Sequence, residues 1–283
     1  MVVDSKTTDD TFDRIDRLSY GRSYLKIVIQ TDPYCTGGAR NLGLDNVTGD
    51  YVAFFDIDDR PMPNYLSVMM ELLKDSDVVF CGYKCVTDLT DDDVSEERNI
   101  TIYDSKGAIR GVISTELSGM PWGSMWRRSL IESSGVRFLK DTIAEDTDFI
   151  IRTLAYAERI TYTTQELYLY YVRPGYYNWK MNCVLRAHVY YNLISFLEQH
   201  CPDAEEDYSR IALLIQIRWG SLRSTCEFKS LMKDEVMTRW AGQIRSNKLK
   251  IEYSIAHSVP TLYCALMKTA DKVIKKLGIR IKY

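Results

Sequence analysis

Histidine is scarce. Three imidazoles in 283 residues leave little room for a histidine-rich metal centre. Cysteines stand at positions 35, 81, 85, 183, 201, 226 and 264, and no two form a Cys-x-x-Cys pair. An odd, scattered set argues against a disulfide framework or a zinc ribbon and for reduced thiols in a cytosolic protein. Cys81 and Cys85 flank a Gly-Tyr-Lys stretch, but no second ligand pair follows them. No apolar run reaches spanning length, no leader pattern opens the chain, and no internal repeat is visible. The formal charge of −3, from 36 basic and 39 acidic residues, carries no nucleic-acid signature.

What remains is the composition of an ordinary globular protein, long enough to bury a large core. Tyrosine is abundant, at 20 residues, which suits carbohydrate contacts without requiring them. The strongest local signal is Tyr51-Val52-Ala53-Phe54-Phe55-Asp56-Ile57-Asp58-Asp59. A short continuous apolar run reads as a strand covered on both faces, as in a parallel sheet. Open α/β sheets place ligands beyond the carboxyl ends of such strands. Carboxylates crowded there repel one another unless a cation intervenes. Mg or Mn is the expected ion, because both take oxygen ligands and bridge phosphates. The alternative is a solvated acidic turn.

Short apolar runs alternate with helical patterns through the first 175 residues. Strands are predicted over 25–30, 51–55, 78–83, 159–162 and 167–171, and helices over 12–18, 39–46, 65–74 and 147–157. This pattern predicts a mainly parallel α/β sheet flanked by helices. After Gly175 the texture changes, and 181–199, 207–228 and 233–245 read as helices without intervening strands. The boundary is expected near residue 176, giving units 1–175 and 176–283. The acidic stretch 88–98 reads as a surface loop.

Two further motifs accompany the carboxylate strand. Gly37-Gly38-Ala39-Arg40-Asn41-Leu42-Gly43 reads as a glycine turn entering a helix, with Arg40 in the first turn, against the helix dipole. Glu145-Asp146 sits at a loop-to-helix junction. It is either a cap or, beside a metal–diphosphate site, the source of a general base.

Taken in order, Val2-Val3-Asp4, Gly38-Ala39-Arg40-Asn41-Leu42-Gly43-Leu44, Thr48-Gly49-Asp50-Tyr51-Val52, Phe55-Asp56-Ile57-Asp58-Asp59, Pro63 and Glu145-Asp146-x-x-Phe149 resemble family 2 glycosyltransferases. The segment from Trp122 to Arg128 is similar to their acceptor side. The resemblance covers residues 1–175. It implies the GT-A fold and inverting transfer from a nucleotide-diphosphate sugar, with uracil the usual base, to a hydroxyl of a glycan or lipid-linked acceptor in cell-surface polysaccharide or glycoconjugate synthesis. It further implies that Asp4 meets the base, Arg40 holds the nucleotide, Asp56 lies near ribose and metal, Asp58 binds the metal and Asp146 is the base. Trp122 and Glu145 are then candidates for the acceptor side.

The sequence departs from that pattern in three places. Met1 stands directly before Val2-Val3-Asp4, where the family has a first strand and helix, so an incomplete chain is expected, with two inner strand edges left unpaired or forced to rejoin. Ser5-Lys6 replaces the usual Asp-Gly. Gln216-Ile217-Arg218-Trp219 is one residue short of the processive Gln-x-x-Arg-Trp motif, which predicts a non-processive enzyme and a packing helix. A catalytically impaired subunit or binding protein, and a phosphohydrolase of the Asp-x-Asp type, are the competing readings. Finally, the tail from Arg245 is rich in lysine, with Leu262, Leu266, Ala270, Val273, Ile274 and Leu277 near helical spacing. It predicts either a basic amphipathic helix on the anionic inner face of the cell membrane or a docked helix with a solvated basic face.

Overall fold

The computed structural model describes residues 2–4, 6–31, 35–90, 93–173 and 182–276. β1 (Val2–Asp4) and β2 (Val28–Gln30) pair in parallel with each other, and α1 (Thr11–Ser19) lies between them in sequence. α2 (Thr36–Leu44) packs on both strands. A second, six-stranded sheet contains β3 (Tyr51–Ala53), β4 (Arg60–Pro61), β5 (Val78–Val86), β6 (Ile100–Tyr103), β7 (Ser124–Arg127) and β8 (Ile160–Tyr171). Its order is β3-β7-β5-β8-β4, with β6 also paired to β8. β3 pairs with β7, and among the described residues no strand joins its other side. Among the described residues β1 and β3 do not pair with each other.

The α/β class with flanking helices stands, but the strand directions are mixed. Among the described strand pairs, β1–β2 and β5–β8 are parallel; β7 runs antiparallel to both of its neighbours, as do β4 and β6 to β8. Apolar runs report burial on both faces, and burial does not fix direction. β8 is one long strand where two short ones were predicted. The polar stretch Thr163–Glu166 hid its continuity. That stretch lies opposite a register shift at Gly82, where a Cβ would sit 2.4 Å from the Thr164 carbonyl oxygen. Its amides bond the loop before β6, Thr164 to Asn99 and Glu166 to Ser95.

Between and after the strands come α3 (Tyr65–Leu73), α4 (Ser105–Ile113), α5 (Arg128–Ser134) and α6 (Glu145–Leu154). Then follow α7 (Cys183–His200), α8 (Glu205–Ser221), α9 (Thr225–Met232), α10 (Glu235–Gln243), α11 (Asn247–Ser258) and α12 (Pro260–Lys276). The single helix predicted over 207–228 is two, because Ser224 caps α9: its hydroxyl accepts from the Glu227 amide and donates to the Glu227 carboxylate. One apolar core runs from Val52 and Trp126 in the sheet and Phe149 on α6 to Leu193, Trp240 and Tyr253 in the helical region.

α11 and α12 both lie on α8 and α9. α12 docks through Tyr263, Cys264 and half-buried Met267, which leaves Leu262, Leu266 and Val273 pointing outward. The exposed face of the docked helix is thus apolar as well as basic. No helix among the described residues is long and apolar enough to cross a membrane.

Candidate active site

The carboxylate turn is positioned by aromatic packing on one side and a tyrosine hydroxyl on the other. Past β3, the Phe54 ring stands edge-on to Phe138 and Phe149, at 5.4 and 6.0 Å. This anchors the chain before it turns through Asp56–Asp59, closed by the Asp59 amide on the Asp56 carbonyl at 3.2 Å. On β8, the buried Tyr168 hydroxyl accepts from the Asp56 amide (3.3 Å) and donates to Asp59 Oδ2 (3.0 Å). Asp59 Oδ1 accepts from the Tyr171 amide at 2.9 Å. Burial pushes the Asp59 carboxyl up to about 6 against the pull of those two hydrogen bonds, and the charges of Asp56 and Asp58 add to the rise. Asp59 is therefore committed to holding the turn. Asp56 and Asp58 remain partly open to solvent.

Each of these two carries a guanidinium partner. Arg173 Nη2 lies 3.2 Å from Asp58 Oδ2. Arg40 bridges, with Nη2 3.4 Å from Asp56 Oδ1 and Nη1 3.3 Å from Glu145 Oε1, and its guanidinium lies over the Phe138 ring. The glycine motif explains how Arg40 gets there. α2 begins at Thr36, earlier than predicted, so Gly37 and Gly38 are helical and Arg40 lies in the second turn. A Cβ on Gly37 would sit 2.0 Å from the Leu139 carbonyl oxygen, so only glycine allows this approach. Asn41 fixes the same segment, donating to the Phe138 carbonyl (2.9 Å) and accepting its amide (2.8 Å).

That segment leads through Ala144, in the left-handed region at φ 60°, into α6. Glu145 and Asp146 open the helix. Asp146 Oδ1 accepts from the Thr147 amide at 2.7 Å. Burial raises the Asp146 carboxyl above the ordinary carboxylate range, against that hydrogen bond and the charges of Arg40 and Arg186. Burial raises Glu145 too, helped by the Asp146 charge and opposed by Arg40.

Arg40, Asp56, Glu145 and Asp146 thus come together, with Asp58 on the same turn. Trp122 does not face solvent: it is 3% exposed and stacks with Tyr168 and Tyr170, at 5.0 and 4.9 Å. Asp4 ends β1, but its side chain lies outside the described residues. Sequence reasoning missed Tyr168, Arg173 and Asn41. Asn41 had a signal, standing beside Arg40 in the motif; the other two are brought in by β8 pairing alone.

Among the described residues no group of three or more His, Cys, Asp or Glu side chains is arranged to hold a metal. Two carboxylates still fit Mg or Mn, since such ions bind through one or two carboxylates and take further oxygens from water and phosphate. Asp58 and Asp56 are the residues that would hold it.

Residues 1–134 match the family model described as Glycosyl transferase family 2. That segment is a family 2 glycosyltransferase domain. The glycosyltransferase EpsH of Bacillus subtilis (strain 168) is 28% identical over 149 residues, which are 50% of this chain and 43% of EpsH. WfaP of Escherichia coli, named a UDP-Glc:alpha-D-GlcNAc-diphosphoundecaprenol beta-1,3-glucosyltransferase, is 33% identical over 82 residues, 28% of this chain and 31% of WfaP. The chain spans about half the length, or less, of the curated relatives it matches. In structure, S. aureus TarS 1-349 in complex with UDP-GlcNAc aligns with 98% of this chain and 82% of its own, at a TM-score of 0.69 and 17% identity. The glycosyltransferase domain therefore has the GT-A fold, and the TarS alignment extends through the helical region.

Proposed function

We propose that this glycosyltransferase transfers a sugar, with inversion, from a nucleotide-diphosphate donor, UDP-linked by preference, to a hydroxyl of a glycan or lipid-linked acceptor in the synthesis of a cell-surface polysaccharide or glycoconjugate. The observation that carries the reading is the Arg40 bridge, which ties the Asp56–Asp58 turn to the Glu145–Asp146 helix start. Donor and acceptor chemistry meet at such a junction. Asp146 takes the proton of the acceptor hydroxyl, and its raised affinity for protons suits that task. The hydroxyl oxygen attacks the anomeric carbon in line; the bond from that carbon to the diphosphate oxygen breaks, and its electron pair leaves with the diphosphate. One displacement gives one inversion. Mg or Mn, when bound at Asp58 and Asp56, supplies positive charge to the departing diphosphate. Arg40, freed from Asp56 by donor binding, holds the nucleotide; Asp4 reads the base; Glu145 orients Arg40; and Trp122 backs the acceptor wall through Tyr170.

The division into a catalytic unit, 1–175, and a helical region, 176–283, belongs to the same proposal, as does a cytoplasmic site of action on the inner face of the cell membrane. WfaP's name places its acceptor on a diphosphate-linked polyprenol, and an acceptor of that kind fits an enzyme whose last helices expose leucines between lysines. A second reading, an impaired subunit or binding protein, is favoured by the pairing of β1 and β3 on one side alone among the described residues. The family match leaves the phosphohydrolase reading without support.

A nucleotide-sugar hydrolysis screen with and without Mn, on this chain and on an N-terminally extended one, tests the choice. Mn-dependent release of a nucleoside diphosphate from one donor class supports the enzyme. Silence of both chains, with donor still bound, supports the impaired subunit.

A further inference from the structure

Outside the carboxylate site, one cluster of described residues combines a buried amide with two guanidiniums, neither of them in an ion pair. Arg186, in the first turns of α7, is held on three sides by neutral groups. Its Nη1 donates to Gln216 Oε1 at 2.8 Å and its Nη2 to the Tyr190 hydroxyl at 3.2 Å. Its guanidinium lies over the Tyr190 ring, 4.7 Å from the centroid, and over Trp219, at 4.6 Å. Arg223 lies over the same indole at 4.1 Å. Among the described residues neither Arg186 nor Arg223 forms an ion pair; the nearby Arg218 is spent on Glu252.

Gln216 sharpens the case. It is 1% exposed, and its Nε2 is buried with no hydrogen-bond partner. The amide cannot be flipped to relieve this, because Oε1 must face the Arg186 donor. A buried donor left without an acceptor costs free energy, and so does a half-buried cation without an ion-pair contact. Both costs fall on one hydrogen-bonded pair, Arg186 and Gln216, and an oxyanion is a ligand that would remove both. The stacking also immobilises the guanidiniums, so little further ordering is required to bind it. The cluster adjoins the base end of the active site, since α6 packs along α7 and the charge of Arg186 reaches Asp146.

We propose that Arg186, Arg223 and Gln216 form an oxyanion site on the acceptor side, which holds a phosphate or diphosphate group of the acceptor while its hydroxyl faces Asp146. This deepens the glycosyltransferase reading and rests on it for the word acceptor; the anion site itself does not. The same chemistry could be supplied by the donor's diphosphate, so the test separates the two. Inorganic pyrophosphate is titrated calorimetrically into the full chain at low ionic strength in EDTA. Gln216→Glu is the decisive variant: it keeps the shape of the side chain but supplies the missing counter-charge. Expected are measurable binding to the wild type, at least about tenfold weaker binding to Gln216→Glu and Arg186→Gln, and unchanged binding to Asp58→Ala. The melting midpoint of Gln216→Glu stays the same or rises, which rules out misfolding as the cause. Unchanged affinity in Gln216→Glu, no binding to the wild type at millimolar pyrophosphate, or loss in Asp58→Ala that points to the donor site would each overturn the proposal. Mn-dependent donor hydrolysis, measured on the same proteins, reads the glycosyltransferase assignment separately: it persists in Gln216→Glu if only the acceptor side is altered, and its absence from the wild type would leave the binding result standing alone.

Discussion

Asp58 and Asp146 stand at opposite ends of the proposed reaction, and their environments differ accordingly. Asp58 is partly exposed and faces Arg173, whereas Asp146 is half-buried at the start of α6 and accepts from the Thr147 amide. Asp58→Ala and Asp146→Asn should each abolish transfer, measured as acceptor-dependent nucleoside diphosphate release, while circular dichroism and melting remain close to wild type. Full activity in either variant would reject its role. A pH profile adds a separate check. Burial raises the Asp146 carboxyl, so it takes up a proton at higher pH than a free carboxylate does. The acidic limb of kcat/KM should therefore lie above the usual carboxylate range of about 4, and activity should fall as pH drops through it. At this scale the sequence was readable where chemistry clusters along the chain: Asp56, Asp58 and Asp59 follow one apolar run, and Glu145 and Asp146 are neighbours. It was not readable where chemistry is assembled across the chain. Tyr168 reaches Asp59 over 109 positions and Arg186 reaches Gln216 over 30, and no local pattern marks either pairing.

At the scale of elements, two contacts decide whether those residues are presented correctly. Tyr168 ties the carboxylate turn to β8 through a single hydroxyl. Tyr168→Phe leaves the stacking on Trp122 intact but removes a partner from both the Asp56 amide and the Asp59 carboxylate. A loss of about 1–3 kcal/mol is expected from the unsatisfied groups, read as a lowered denaturation midpoint, together with weaker Mn and donor binding. Gly37 fixes how α2 meets the segment that leads into α6. Gly37→Ala would drive a methyl into the Leu139 carbonyl, so a cost of a few kcal/mol is expected, with the Arg40–Glu145 contact disturbed and KM for the donor raised. The helix boundaries show why sequence patterns mislead here. Glycines 37 and 38 read as a turn because isolated helices avoid them, yet the close approach to Leu139 overrides propensity. By contrast, Ser224 and Glu227 carried a readable capping signature that splits the long helical pattern into α8 and α9.

Across the whole molecule, charge is unevenly placed. The chain is net negative at −3, yet residues 247–276 carry Lys248, Lys250, Lys268, Lys272, Lys275 and Lys276 against Glu252 and Asp271. Glu252 is already engaged by Arg218 and Tyr263. α11 and α12 rest on the same pair of helices and on each other. They expose Ile251 and Ile255 on α11, and Leu262 (57%), Leu266 (60%) and Val273 on α12. Apolar side chains between lysines match the two layers of an anionic bilayer surface, acyl chains below and phosphate headgroups above. A solvated basic face alone would not place leucines outermost. Wild-type protein should therefore sediment with vesicles containing phosphatidylglycerol and much less with phosphatidylcholine alone, and binding should weaken with salt. Leu262→Glu combined with Leu266→Glu should release it at any salt, because the apolar contribution is gone. Lys268→Glu combined with Lys272→Glu should release it in proportion to the fraction of anionic lipid. Hydrolysis of a soluble nucleotide sugar should be unchanged in both pairs, since neither touches the carboxylate site. If deleting residues 258–283 left vesicle partitioning unaltered, the lysine-flanked face would have no part in bringing the enzyme to its acceptor.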